Sequence, residues 1–138
     1  MKKYLVFIPI FMLTMHAWAQ TKPIKVVFDV TSKDEGAHQA TMRHVKMMSA
    51  AYPESVFEVV IYGGALAMVL KDVSSVAEDI MQFEGSKNVS VKVCEETMKR
   101  LQVDKSQLLP GVSTVPDGIL EIVTRQGEGW GYIKEAHN

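Results

Sequence analysis

Cys94 is the only cysteine in the chain, and it stands where the apolar run Val89-Ser90-Val91-Lys92-Val93 gives way to the polar, helix-forming stretch Glu95-Glu96-Thr97-Met98-Lys99-Arg100. A thiol between the C-terminal end of a strand and the N-terminal end of a helix meets free backbone N–H groups and a partial positive charge. Both favour the thiolate, which is the nucleophilic form. Glu95 and Glu96 act the other way, since carboxylates beside a sulfur oppose its ionisation. Acidic side chains in a first helical turn are equally ordinary helix chemistry. One cysteine cannot close a disulfide within the chain, so it is buried as a small hydrophobe, paired with another molecule, or kept as a working thiol. A working thiol of this kind has no second cysteine to resolve it, and a partner is then obligatory.

Other residues offer chemistry more weakly. His38 opens the helical pattern after the first strand, at the crevice end of the sheet, where it could orient a ligand or pair with Cys94 as a base. The ordinary alternative is a solvated first-turn histidine. His44 lies on the stripe that faces the sheet, as a packed or interface residue. His38 with Met42, and His44 with Met48, are spaced i,i+4 and carry groups that suit copper. Each pair supplies only two ligands on a different part of the helix, and methionine is a routine core filler. With no CxxC or HExxH spacing, neither metal nor cofactor is expected. Gly63-Gly64 lies between a strand and an apolar helical turn, where missing side chains either let a ligand approach backbone N–H groups or simply allow a tight turn. Gly127-Glu128-Gly129-Trp130-Gly131 follows a helix near the end of the chain, whereas a phosphate loop follows a strand. A GxSxG elbow is absent.

The elements that must position these residues read as alternating strands and helices. Ile24–Val30 is a β-branched run that ends at a polar loop. From Ala37 to Tyr52 apolar residues recur at helical spacing until Pro53 stops them. Val56–Tyr62 is a second strand, followed by an apolar turn over Ala65–Leu70. A helix capped by Ser74 or Ser75 carries Val76, Ile80 and Phe83. Val89–Val93 leads to Cys94, and Asp104 with Gln107 has capping-box spacing. Val112–Val115 ends at Pro116-Asp117-Gly118. Ile119–Gln126 is a helix with Glu121 and Arg125 at ion-pair spacing, and Trp130–Ile133 adds a last strand. Such alternation without hairpin signals implies an α/β fold, with helices on both faces of a central, mostly parallel sheet of about five strands. Ligands in such folds bind among the loops at the C-terminal strand ends. Here those are Val30–Gly36, Gly63-Gly64, Cys94-Glu95 and Pro116–Gly118.

The start of the chain bears on where this thiol works. Lys2 and Lys3 precede an apolar stretch, Tyr4–Met15, and Ala17-Trp18-Ala19 offers small residues at the positions a signal peptidase reads. The stretch is too short for a bilayer-spanning helix, which needs about 20 apolar residues. Residues 1–19 therefore read as a cleaved secretory signal, with Gln20 or a near neighbour as the mature N-terminus. Residues 20–138 read as a single exported domain, periplasmic or secreted and free of the membrane. The formal net charge of −1 and the absence of a basic cluster leave no footprint for nucleic acid.

Several segments, taken in order over about residues 25 to 134, together resemble the DsrE/DsrF-like family. They are Val27-Phe28-Asp29-Val30-Thr31, Tyr62-Gly63-Gly64 with Leu66 and Leu70, and Cys94 with Thr97, Met98 and Arg100. Leu109-Pro110-Gly111-Val112 follows, then Val115-Pro116 with Gly118. Glu121, Gln126, Gly129, Trp130, Tyr132 and Ile133 complete the set. The resemblance implies a three-layer α/β/α domain that assembles into homo-oligomers and relays sulfur as a persulfide on Cys94. Thr31, His38, Gly63, Gly64, Thr97 and Arg100 are the expected pocket residues. Where the family places small or amide residues after the cysteine, as in Gly-Asn-Thr, this chain has Glu95-Glu96.

Two functions follow as expectations. The first is a sulfur carrier or sulfurtransferase-like protein that takes sulfane sulfur from a donor and yields it to an acceptor thiol on a protein or small molecule. The second is a non-catalytic module that uses the same crevice for a small ligand or for protein assembly, since no second chemical group clearly converges on Cys94.

Overall fold

Short β-branched runs alternating with helices build a five-stranded sheet. The computed structural model describes residues 22–135; the expected signal segment and the mature N-terminus at Gln20 lie outside the described residues. The strands are β1 (Lys25–Val30), β2 (Val56–Ile61), β3 (Val89–Cys94), β4 (Val112–Val115) and β5 (Gly131–Lys134). Every pairing is parallel, and the order across the sheet is β4-β3-β2-β1-β5.

Four α-helices make the connections: α1 (Glu35–Ala51), α2 (Ala77–Met81), α3 (Glu95–Arg100) and α4 (Gly118–Gly127). Asp34 starts α1 by accepting the Gly36 N–H, and Tyr52 ends it just before Pro53. Asp117 starts α4 by accepting the N–H groups of Ile119 and Leu120. The connection from β2 to β3 departs from expectation. Its apolar turn is a 3₁₀ segment, Gly63–Val69, and α2 begins at Ala77 with no side-chain cap. Ser74 does not cap a helix because its hydroxyl donates to the Met68 carbonyl and accepts the Val76 N–H, which fixes the turn instead.

From β1 to β4 the chain steps in one direction across the sheet, and then α4 carries it back past β1 to β5. Right-handed crossovers put helices on one face during the outward steps and on the opposite face during the return. The packing follows that rule. Met42 and Val45 of α1, Leu66 and Met68 of the 3₁₀ segment, Ile80 of α2 and Met98 of α3 pack with Phe28, Phe57, Val59 and Val91. Ile122 of α4 packs with Val27 and Val60 on the other side. Among the described residues one face thus carries α1, α2, α3 and the Gly63–Val69 segment, and the other carries α4.

At the carboxyl ends of β3 and β4 the chain leaves neighbouring strands toward opposite faces, into α3 and α4 respectively. This divergence opens a crevice, the place where open parallel sheets hold ligands. Cys94 is the last residue of β3.

Candidate functional site

The crevice is a pocket of about 540 Å³ lined by Tyr62, Cys94, Glu96, Thr97, Lys99, Arg100, Asp117 and Ile119. The register pairs Ile61 with Val93 and Cys94 with Val115, so Tyr62 and Cys94 stand side by side one step beyond the paired Ile61 and Val93. Gly118 lies directly over them. A Cβ built there would sit 3.1 Å from Tyr62 Cδ1 and 3.2 Å from Cys94 Cβ, so the first turn of α4 approaches the thiol only because this residue has no side chain. Cys94 is 5% exposed, and that exposure opens onto the pocket.

The two carboxylates after the thiol are each answered by a lysine. Glu95 accepts hydrogen bonds from Lys105 Nζ (2.8 Å) and Thr114 Oγ1 (2.6 Å). The Lys105 bond, with the Thr114 bond next, holds its carboxyl below the usual range. Glu96 pairs with Lys99 at 2.9 Å. Arg100 is exposed at the pocket's edge and makes no ion pair among the described residues. Arg100 therefore presents guanidinium donors at the rim of the pocket that Cys94 also lines.

Thr97, buried in α3, accepts the Gly63 N–H at 3.1 Å. That N–H is occupied within the protein, so the Gly63-Gly64 turn supports the pocket from behind. Gly63 has φ +60, and a Cβ on Gly64 would meet the Thr31 carbonyl oxygen at 3.0 Å. The turn thus presses against the loop after β1. Thr31 there accepts Lys134 Nζ at 2.7 Å. His38 is 1% exposed, and its Nε2–H donates to the Ser32 carbonyl at 2.7 Å. It secures the β1–α1 loop and does not line the Cys94 pocket. His44 bonds Glu135 at 2.7 Å instead of packing into the core.

Of the residues expected at a site, Cys94, Thr97 and Arg100 share the pocket; Gly63 joins it through Thr97, and Gly64 and Thr31 form the layer behind. Tyr62, Lys99, Asp117, Gly118 and Ile119 were not foreseen as site residues. Two signals pointed toward them: Pro116–Gly118 belongs to the crevice loops, and Tyr62 ends a strand beside a glycine turn.

Tyr62 is itself fixed from the far side. Buried Asp29 accepts Tyr132 Oη at 2.6 Å and Lys134 Nζ at 3.0 Å. Lys134 Nζ lies 5.8 Å from the Tyr62 ring centre. Burial first, and then the charge of Asp29 and a hydrogen bond to it, push the Tyr62 phenol up to about 12. It stays a neutral wall of the pocket at physiological pH.

Further along the same face, Glu58, only 2% exposed, meets Lys92 at 2.9 Å and Arg125 at 3.1 Å. Glu121 of α4 meets the same two cations at 2.9 Å and 2.8 Å, and Arg125 lies 4.9 Å from the Trp130 ring centre. This network clamps α4 to the sheet and so holds Gly118 over Cys94. Among the described residues no three His, Cys, Asp or Glu side chains gather as they would to hold a metal ion, and no helix is long and apolar enough to cross a membrane.

Residues 25–134 match the model of the DsrE/DsrF-like family. No curated protein matches the chain. Among solved structures the chain is similar to the protein of unknown function MTH1491 from Methanobacterium thermoautotrophicum, with 31% identity and a TM-score of 0.74 over 80% of this chain and 98% of that one. It shares its fold with YchN from E. coli at 12% identity and a TM-score of 0.66, over 83% of this chain and 99% of that one. BT1422 of Bacteroides thetaiotaomicron, a conserved protein of unknown function, shares the fold at 12% identity and a TM-score of 0.60, over 80% and 93% of the two chains. Matched over its whole sheet by the family model and by a structure of this similarity, the chain belongs to the DsrE/DsrF-like family.

Proposed function

We propose that this protein is an exported sulfur carrier that holds sulfane sulfur as a persulfide on Cys94. The observation that carries the reading is the setting of the chain's lone thiol, which lies in the crevice where α3 and α4 diverge, beneath a glycine that leaves room for it, in a pocket whose rim carries Arg100, which makes no ion pair among the described residues. In the proposed reaction the Cys94 thiolate attacks the outer sulfur of a donor persulfide, R–S–SH. The donor's S–S bond breaks, its electron pair leaves on R–S⁻, and Cys94 becomes Cys94–S–SH. An acceptor thiolate then attacks that outer sulfur and releases the Cys94 thiolate, so the chain ends as it began. Arg100 supplies a cation to the anionic donor and leaving group. Tyr62, Thr97 and Ile119 line the pocket around the sulfur. Export removes the protein from the glutathione pool, and the lack of a second cysteine prevents self-resolution, so donor and acceptor are separate molecules.

Alkylation kinetics test the reading. In the folded protein Cys94 is expected to react with iodoacetamide at a rate comparable to or above that of a free cysteine peptide, and Arg100→Ala should slow an anionic reagent, iodoacetate, more than the neutral one. Labelling that occurs only after unfolding in urea would remove the basis for a carrier.

A further inference from the structure

The charges that line the Cys94 pocket are not all answered within the protein. Glu96, Lys99 and Arg100 border it from α3, and Asp117 borders it from the start of α4. Glu96 and Lys99 neutralise each other at 2.9 Å. Asp117 spends one carboxylate oxygen, Oδ1, on the N–H groups of Ile119 and Leu120, and its Oδ2 makes no hydrogen bond among the described residues. Arg100 makes neither a hydrogen bond nor an ion pair among the described residues, so it does not close on Asp117. One guanidinium and one carboxylate oxygen are thus left on the two walls of a crevice that also holds the thiol. Cys94 is 5% exposed, so its sulfur is reached by a slender molecule entering the pocket. The volume of about 540 Å³ lies within the range of roughly 300–1,000 Å³ in which proteins hold small ligands.

We infer that the sulfur donor is the persulfide of a small zwitterionic thiol, an amino acid or short peptide, whose carboxylate binds Arg100 and whose ammonium binds Asp117. The inference rests on the persulfide reading of Cys94 and names the class of R in R–S–SH. A guanidinium fork matches a carboxylate with two parallel N–H donors, and the free Asp117 oxygen accepts from an ammonium. A ligand with one charge of each sign satisfies both walls and leaves the site neutral, whereas a simple anion such as thiosulfate would satisfy Arg100 alone. In the transfer the Cys94 thiolate takes the outer sulfur, the donor's S–S bond breaks, and the zwitterionic thiol leaves as its thiolate with the electron pair. Arg100 and Asp117 form and break no covalent bond. They select the donor and hold its sulfur toward Cys94.

Protection of Cys94 from iodoacetamide tests this without any sulfur transfer. The probes are thioethers that can occupy the pocket but cannot react, S-methylcysteine for the amino acid and S-methylglutathione for the peptide. At least one should slow labelling of the wild-type chain, and its N-acetylated and its esterified forms should each need about tenfold more for the same protection, the worth of one lost charged hydrogen bond. The parent that protects at lower concentration identifies the source. Asp117→Asn keeps a residue that caps a helix as well as aspartate does, and it should erase the difference between the parent and its N-acetylated form. Arg100→Gln should erase the difference between the parent and its ester. Equal protection by a parent and both its derivatives, or no protection by either parent, overturns the inference and leaves the carrier reading standing on sulfur uptake from polysulfide. A Cys94 that labels only in urea overturns both.

Discussion

On one face of the sheet Phe28, Phe57, Val59 and Ile61 are sealed from water beneath α1, α3 and the 3₁₀ segment; on the other, Glu58, Lys92 and Asp29 share the surface with Val27 and Val60 beneath α4 alone. The first face gains its stability from apolar burial, which is large and non-directional. The second spends part of its area on ion pairs, whose net gain is small because each charge must be desolvated. What ion pairs add is direction. Arg125, held between Glu58, Glu121 and Glu128, fixes the angle of α4, and with it the seat of Gly118 over Cys94. The apolar face holds the fold, and the charged face places the site.

That difference can be broken from either side. Phe57→Ala, in the sealed core, should cost about 3–5 kcal/mol in urea unfolding, while whatever remains folded at low urea labels Cys94 at the wild-type rate. Glu58→Gln should cost less, about 1–3 kcal/mol, because Glu121 still serves both cations. It should nevertheless change the Cys94 labelling rate, since α4 loses a buried anchor. The reverse pattern, with labelling altered by Phe57→Ala and untouched by Glu58→Gln, would contradict the division of labour.

Smaller effects sharpen it. Asp117→Ala removes the cap of α4 and should cost about 1 kcal/mol by thermal unfolding. Acid should act through the charged face as well. Burial works against the ionisation of Glu121, but the Lys92 hydrogen bond and charge, together with Arg125, outweigh it and hold this carboxyl below its ordinary 4.5. A folded value lower than the unfolded one gives stability that is fully present above about 4.5 and is lost as the pH falls through the folded value. The acid limb of the stability curve should therefore be shallower in Glu121→Gln than in wild type. Gly118→Ala should destabilise the protein modestly, because a Cβ would crowd Tyr62 and Cys94 at 3.1–3.3 Å and the helical preference of alanine counts for little at the first position of α4. Its effect should appear as slower alkylation of Cys94.

Much of this was legible in the sequence, for identifiable reasons. Val27-Val30, Val56-Ile61 and Val89-Val93 are β-branched runs bounded by turn residues, and they became central strands because such runs suit a sheet buried on both faces. Asp104 and Gln107 form the capping box their spacing implied, and Glu121 pairs with Arg125. Cys94 was legible as the end of a strand. So were the crevice loops, Cys94-Glu95 and Pro116–Gly118 among them; which of those loops meet was not, because that depends on β3 and β4 being neighbours whose connections leave on opposite faces, and strand order is a tertiary fact. Gly118 reaches the thiol through that adjacency, and Tyr62 through the pairing of β2 with β3. The burial of His38 is not written in its helical position for a similar reason: it follows from the Ser32 carbonyl, which the loop folds back to meet the ring. The inward turn of Glu121 and Arg125 was hidden too, since their i,i+4 spacing says nothing of Glu58 and Lys92 beneath them.

The proposed relay is tested most directly by the mass of the intact protein after exposure to polysulfide and removal of excess reagent. The account predicts that wild type gains the mass of one sulfur atom, that an acceptor thiol such as glutathione removes it, and that Cys94→Ser gains nothing. Wild type that stays unmodified while labelling readily with iodoacetamide, or Cys94→Ser that gains the same mass, would contradict it.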